Sequence, residues 1–278
     1  MFPRKGPSSP QQGYFASSEA MIPCVKRVQL FEFEDLPWFP SWIRNCMTRY
    51  IAVVHQLVGT REALTPLIRR LIEITPSKKL IDLCSGSGGP LPEITRALKA
   101  EGLDFELTMS DLYPNLDAAQ RLASSGIRYE ETPVDATNVH HEGARILICS
   151  FHHMRPDRAR AILKNAQEEK KPLCIFEISD NGLPIFLFWL SMPVAFLMVL
   201  VLTPKIRPMT WQQIVFTYCV PLIPLFVAWD AAVSNARTYT LTDMEELTTG
   251  LDDAYAWESG AIESRAPGKM LYLLGQPS

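Results

Sequence analysis

The sequence has no C-x-x-C pair, no Lys/Arg-rich stripe and no internal repeat. Its six cysteines (Cys24, Cys46, Cys84, Cys149, Cys174, Cys219) are scattered, with no histidine beside them at metal-ligand spacing. Neither a disulfide framework nor a metal centre is therefore expected, and the thiols read as reduced in a cytoplasmic protein. The charge is nearly balanced, 27 basic against 30 acidic residues for a net −3, so no global field draws in phosphates. Nucleic acid is not an expected partner. Met1 to Gln12 is rich in Pro, Ser and Gln and lacks the apolar stretch of a secretory signal, so residues 1–30 are expected to form a flexible tail.

What the chain does have is an uneven distribution of apolar residues. Hydrophobic residues make up 47% and charged ones 21%, and the apolar excess lies between Gly182 and Trp229. Ahead of it, Pro37 and Pro40 break any early helix. Arg49–Leu57 is a plausible helix, and Arg61–Ile74 carries Leu64, Leu67, Ile68, Leu71 and Ile72 at amphipathic spacing, so residues 31–76 read as a helical cap. From Lys79 the pattern becomes short apolar runs separated by helical stretches, the mark of parallel strands joined by crossover helices. Strands are expected at Lys79–Leu83, Phe105–Ser110, Ile127–Glu131, Arg145–Ser150 and Leu173–Ile178. Helices are expected near Leu91–Ala100, Leu116–Ser124 and Asp157–Glu168. After the apolar segment come a helix near Asp243–Thr249 and strands Tyr255–Glu263 and Lys269–Leu274, with Pro267-Gly268 as the turn between them.

The first expected strand runs into Asp82-Leu83-Cys84-Ser85-Gly86-Ser87-Gly88-Gly89 and then a helix. Such a turn exposes backbone N–H groups with few side chains in a ligand's way, although glycines alone are equally compatible with an ordinary tight turn. Asp111 follows the second strand, where Rossmann-like folds place a carboxylate for ribose hydroxyls, and Asp135-Ala136 follows the third. The fourth strand ends at Cys149-Ser150-Phe151-His152-His153. All these positions lie at carboxyl ends of parallel strands, where open α/β sheets bind ligands.

This order resembles the class I S-adenosylmethionine-dependent methyltransferases over Leu80 to Ile178 and the terminal hairpin. Asp82 matches the motif's acid and Gly86 and Gly88 its second and third glycines, while Cys84 stands where the first usually does. The resemblance implies an α/β, Rossmann-like seven-stranded sheet, parallel except for a C-terminal antiparallel hairpin, with helices on both faces. It implies S-adenosyl-L-methionine as cofactor and a core at 77–181, completed by 231–278. The methionine end would meet Asp82 and the Ser85–Gly88 backbone, the ribose Asp111 beside Leu112, and the adenine Asp135 and Ala136, with Ser150 in the same set. A nicotinamide-dependent oxidoreductase is a competing use of such a turn. Gly-x-Gly-Gly without the three-glycine signature, and the closing strand hairpin, disfavour it.

Two flanks resemble a narrower bacterial group of these methyltransferases: Phe31 to Pro40, and Trp229-Asp230, Val233-Ser234 and Arg237 to Thr240. The group tends to have glycine after the acid, where Ala231 stands here. In class I folds these regions commonly form the acceptor pocket, which makes Trp38, Phe39, Glu177, Arg237 and Tyr239 candidate substrate contacts. Arg237 could orient an acidic acceptor, or pair structurally with Asp230. Trp38 and Phe39 could equally cap the core. If the acceptor is a hydroxyl, His152 and His153 are the candidates to take its proton.

Residues 182–230 are expected as an apolar helical insertion. Gly182 to Thr203 has no charge and is long enough to span a bilayer, while Pro208 to Trp229 is interrupted by Gln212, Gln213, Pro221 and Pro224. Full spanning would strand Lys205 and Arg207 on the far side, against the positive-inside tendency. A hairpin in the cytoplasmic leaflet, a lid over a greasy acceptor and a homodimer interface all fit. The sequence thus reads as a methyltransferase for a hydrophobic small-molecule or lipid-like acceptor, with a membrane-associated binding protein that keeps the cofactor but lacks turnover as the alternative.

Overall fold

The computed structural model describes residues 27–123, 125–182, 187–251 and 254–278. Most of the expected tail, Cys24, Ser124 at the end of one expected helix, and 183–186 of the apolar segment lie outside the described residues.

Seven strands form one sheet in the order β3-β2-β1-β4-β5-β7-β6. They are β1 (Lys79–Asp82), β2 (Glu106–Met109), β3 (Arg128–Tyr129), β4 (Ala144–Ile148), β5 (Leu173–Glu177), β6 (Tyr255–Glu263) and β7 (Lys269–Pro277). The first five are parallel; β7 runs antiparallel to both β5 and β6. The expected seven-stranded sheet with a closing hairpin is thus the observed one. The third strand is only two residues long, shorter than expected at both ends, although the Glu130 N–H still donates to the Met109 carbonyl, whereas β7 runs past Leu274 to Pro277.

Alternation along the central strands explains why they read as continuous apolar runs. Leu80, Ile146, Cys174 and Phe176 point into one core, against α2 (Thr60–Ile74), α3 (Leu91–Ala100) and α4 (Leu116–Ala123). Ile81, Leu147, Leu173 and Ile175 point into the other, against α5 (Pro156–Glu168) and α9 (Leu241–Thr248). A strand buried on both faces is apolar at most positions, and Arg145, buried within β4, donates to Asn165 and the Val139 carbonyl. Each apolar side chain contributes roughly 1.5–3 kcal/mol on burial.

The apolar segment forms α6 (Phe188–Leu202), the short α7 (Trp211–Ile214), a π-turn (Val215–Cys219) and α8 (Leu222–Arg237). Thr210 caps α7 by accepting from the Gln213 N–H. Val199 and Leu202 of α6 and Ile223 and Val227 of α8 pack on Phe39 and on Ile43, Met47 and Tyr50 of α1 (Ser41–Val58). The cap helix therefore begins eight residues before Arg49, with Pro40 as its N-cap. Among the described residues no single helix is long and apolar enough to cross a membrane, since α6 has 15 residues. Trp211–Cys219 and Leu222–Arg237 reach that length and composition only together, bent by 82° where Pro221 interrupts the chain. The boundary expected between 230 and 231 also falls inside α8.

Candidate active site

The strand order reverses between β1 and β4, so a crevice opens at the carboxyl ends of these two strands. The glycine-rich turn lies on one side of it. Four residues there take left-handed backbone: Cys84 (φ 61°), Gly86 (51°), Gly88 (106°) and Gly89 (50°). Gly86 and Gly89 face open space where a side chain would project, so the backbone is bare to a ligand. Cys84 holds the same conformation with a side chain, and its burial together with Asp111, Asp82 and Asp135 pushes the thiol up to about 12.

Asp82 is buried and accepts from the Ser85 hydroxyl at 2.6 Å through Oδ2, while its Oδ1 has no hydrogen-bond partner. Burial pushes this carboxyl up to about 8; the Ser85 bond opposes the shift and Asp111 adds to it. Asp111 accepts from the Gly86 N–H and the Tyr113 N–H, both at 2.9 Å, which ties the end of β2 to the turn. Leu112 beside it is exposed. Asp135 accepts from the Thr137 N–H and hydroxyl at 2.9 and 2.8 Å and from Arg158 at 3.0 Å. Burial would raise its pKa, but these donors hold it below the usual value. Ala136 is buried, as is Ser150, whose Oγ has no hydrogen-bond partner.

On the other side lies a cavity of about 400 Å³ between α1, α6, α8 and the ends of β4 and β5. Its walls are mainly apolar, with Met47, Tyr50, Val54 and Val227 among them, and Glu32, Glu34, His152, His153, Glu177 and Asp230 are its acidic and histidine side chains. Cys149 at the end of β4 also lines it; burial with Glu177 and Asp82 nearby raises this thiol well above its ordinary value.

The histidines belong to one carboxylate network. His152 is buried, its Nδ1 is 2.8 Å from Glu177 Oε2, and its backbone N–H donates to Glu177 Oε1 at 3.1 Å. His153 stacks on it with ring centroids 4.2 Å apart and has its Nδ1 2.7 Å from Asp35 Oδ1. Burial would lower the His152 pKa, but Glu177 and Glu32 outweigh it and raise the value. Arg237, almost wholly buried, donates to Glu32 at 3.0 Å, to Asp35 at 2.7 Å and to the His153 carbonyl at 3.2 Å. Its partners are thus on the N-terminal flank rather than Asp230. Asp230 instead accepts from the Phe33 and Glu34 N–H groups at 2.8 and 3.2 Å. Burial pushes both Glu34 and Asp230 up to about 7, helped at Glu34 by Asp230 and Glu32 and at Asp230 by Glu32 and Asp35.

The two sequence flanks therefore meet here. Of the five candidate substrate contacts, Glu177 alone lines the cavity. Trp38 is 69% exposed, and Phe39 is buried against Phe226 and Phe33. Tyr239 donates to the Met154 carbonyl at 2.8 Å and accepts from Arg27 at 3.0 Å. Glu32, Glu34 and Asp230 were legible as flank acids, but their convergence on the histidine pair was not.

No protein-family model matches the chain, and no curated protein matches its sequence. Solved structures do match. An O-methyltransferase from neocarzinostatin biosynthesis, in complex with S-adenosyl-L-homocysteine and 1,4-dihydroxy-2-naphthoic acid, superposes with a TM-score of 0.52 at 14% identity, covering 88% of this chain and 61% of that one. A SAM-dependent methyltransferase from Aquifex aeolicus matches at 8% identity and TM-score 0.45, covering 81% and 92%. Magnesium protoporphyrin IX methyltransferase from Synechocystis matches at 11% and 0.46, covering 79% and 83%. The likeness, at 14% identity, is one of fold alone.

Proposed function

We propose that this chain binds S-adenosyl-L-methionine on the Asp82–Gly89 turn and transfers its methyl group to a small, largely apolar acceptor in the adjoining cavity. The observation that carries this reading is the pairing of two empty-handed features at one sheet edge. A bare glycine turn beside the unpartnered Asp82 Oδ1 faces the crevice, and a mainly apolar cavity ends in a histidine pair next to it. An ammonium on the cofactor's methionine end satisfies Asp82 and favours its charged form. Asp111 and Leu112 take the ribose side, and Asp135 with Ala136 the adenine. Ser150 stands between the two halves of the site.

Bound on the Asp82–Gly89 turn, the cofactor would supply an electrophilic methyl group to a nucleophilic atom of the acceptor, and a hydroxyl acceptor would have to give up its proton. Holding nucleophile and methyl in line at about 3 Å supplies much of the acceleration. His152 and His153, fixed by Glu177 and Asp35, promote loss of that proton.

The outer surface of α6 supports delivery of the acceptor from a lipid surface. Leu190, Val194, Leu197 and Val201 recur at helical spacing and are all more than half exposed, beside Trp189 and Trp211. A contiguous apolar stripe of this kind marks an interaction surface rather than scattered exposed residues. Incubating the protein with methyl-labelled cofactor and lipid or secondary-metabolite extracts tests the reading. Label should move into an extractable apolar product. Cofactor binding without any transfer would instead fit a binding protein.

A further inference from the structure

We infer that Glu32, His152 and His153 form a binding site for a divalent transition ion of the zinc type at the polar end of the acceptor cavity. The inference rests on the proposed methyltransferase reading for its use, but not for its existence. One ligand atom from each of the three residues falls within 4.8 Å of the others. The arrangement of the imidazoles is what distinguishes the cluster from a chance gathering of polar groups.

Each ring has its Nδ1 against a carboxylate, Glu177 for His152 and Asp35 for His153. A carboxylate accepts at each Nδ1, so Nε2 is the ring atom left to face Glu32, and a bound ion would take the place of any proton there. A histidine that binds a metal is generally oriented in this way by an outer carboxylate. The two Nε2 atoms then approach opposite oxygens of one carboxylate, at 3.9 Å from Glu32 Oε1 and 3.8 Å from Glu32 Oε2. These separations are too long for hydrogen bonds. They are only slightly wider than the ~3.3 Å between neighbouring ligands of a tetrahedral ion with bonds of about 2.05 Å. Coordination would draw the three residues inward from their present spacing, within 4.8 Å of one another.

Arg237 donates to Glu32 and Asp35 and balances part of their charge, while Glu34, Glu177 and Asp230 add further carboxyls around the same volume. Two imidazoles and one carboxylate leave a position open, the pattern of reactive rather than structural sites. All three ligand residues line the cavity, so the open position faces the acceptor and would take an oxygen donor. That narrows the acceptor class to hydroxylated or carboxylated molecules, whose hydroxyl an ion makes more acidic.

The test uses full-length protein stripped with a chelator and titrated with cobalt(II) alone, read by its visible absorption, followed by zinc competition. One bound cobalt per chain is expected, with the strong bands of a four- or five-coordinate ion and displacement by zinc. Affinity should fall about tenfold or more in Glu32→Gln and in His153→Ala. His153 is the more exposed histidine, so His153→Ala still decides where Glu32→Gln, beside Arg237, fails to fold. Absence of stoichiometric binding by folded wild-type protein, or binding unchanged in His153→Ala, overturns the proposal. Calorimetry with S-adenosylhomocysteine on the same preparations separates the two readings. Cofactor without ion removes the metal site alone, and ion without cofactor removes the methyltransferase reading alone.

Discussion

Glu177 holds His152 twice, accepting from its backbone N–H at 3.1 Å with one oxygen and meeting its Nδ1 at 2.8 Å with the other. Both residues are buried, so the end of β5 fixes both the loop after β4 and the ring that it carries. Glu177→Ala removes both acceptors at once. Leaving buried donors unpaired costs ~1–3 kcal/mol each, so the variant should lose at least ~2 kcal/mol of stability in urea unfolding. A loss within ~0.5 kcal/mol would mean that the pair does not hold the loop.

Arg237 neutralises a buried carboxylate, and its substitution should be correspondingly severe. Arg237→Met leaves Glu32 without a counter-charge in a site where both side chains are 3% exposed. Breaking such a pair from one side costs ~3–5 kcal/mol. The double variant Glu32→Gln/Arg237→Met should recover a large part of that loss, because no charge is left stranded. Additive losses in the double-mutant cycle would argue against coupling.

Cys84 tests the backbone of the turn. At φ 61° glycine is at ease and a β-branched residue is not. Cys84→Gly should change the melting temperature little and leave cofactor binding intact. Cys84→Val should destabilise by ~1–2 kcal/mol or more and weaken binding. Equal effects of the two would show that the cysteine's packing, not its backbone, matters.

The raised pKa of Asp82 gives cofactor binding a pH dependence with a definite sign. The carboxyl, near 8 in the free protein, is largely protonated at pH 6. A cofactor ammonium favours the charged form, so binding releases a proton and tightens as pH rises from 6 towards 8, by at most about tenfold per unit. Calorimetry in buffers of different ionisation enthalpy measures the proton directly. Asp82→Asn should abolish both the proton release and the pH dependence; affinity that falls over this range would contradict the assignment.

The apolar stripe on α6 makes a separate expectation. Replacing Leu190 and Leu197 by Gln removes two exposed leucines from one face without touching the cores. If this face enters a lipid surface, each leucine contributes up to ~1.5–3 kcal/mol to partitioning. Flotation with phospholipid vesicles should then fall more than tenfold. Unchanged flotation would remove the lipid reading.

Much of the fold was legible because its signals are local. Asp82, Gly86 and Gly88 sit on adjacent turns of one short motif, and Leu80/Ile81 or Ile146/Leu147 announce two-sided burial by their neighbours alone. The acceptor site was legible only in part. His152 and His153 could be placed by their position after a strand, but Glu32 and Asp35 come from a distant flank, and their meeting with Arg237 is a tertiary event without a spacing signature. Arg237, read as a donor to the acceptor or a partner of Asp230, instead holds that flank in place. The path of the apolar segment was not legible for another reason. Uncharged length is visible in sequence, whereas the break at the π-turn and Pro221 and the burial against α1 are not.

The most direct measurement is calorimetric titration of folded protein with S-adenosylhomocysteine, beside Asp111→Ala. Asp111 ties the glycine turn to the end of β2 through the Gly86 N–H and faces the proposed ribose site. One molecule should bind per chain with a Kd on the order of micromolar. The variant should bind ten- to a hundredfold more weakly, as expected for a lost charge-assisted contact. Absence of binding to wild-type protein shown to be folded, or equal binding by the variant, would contradict the account.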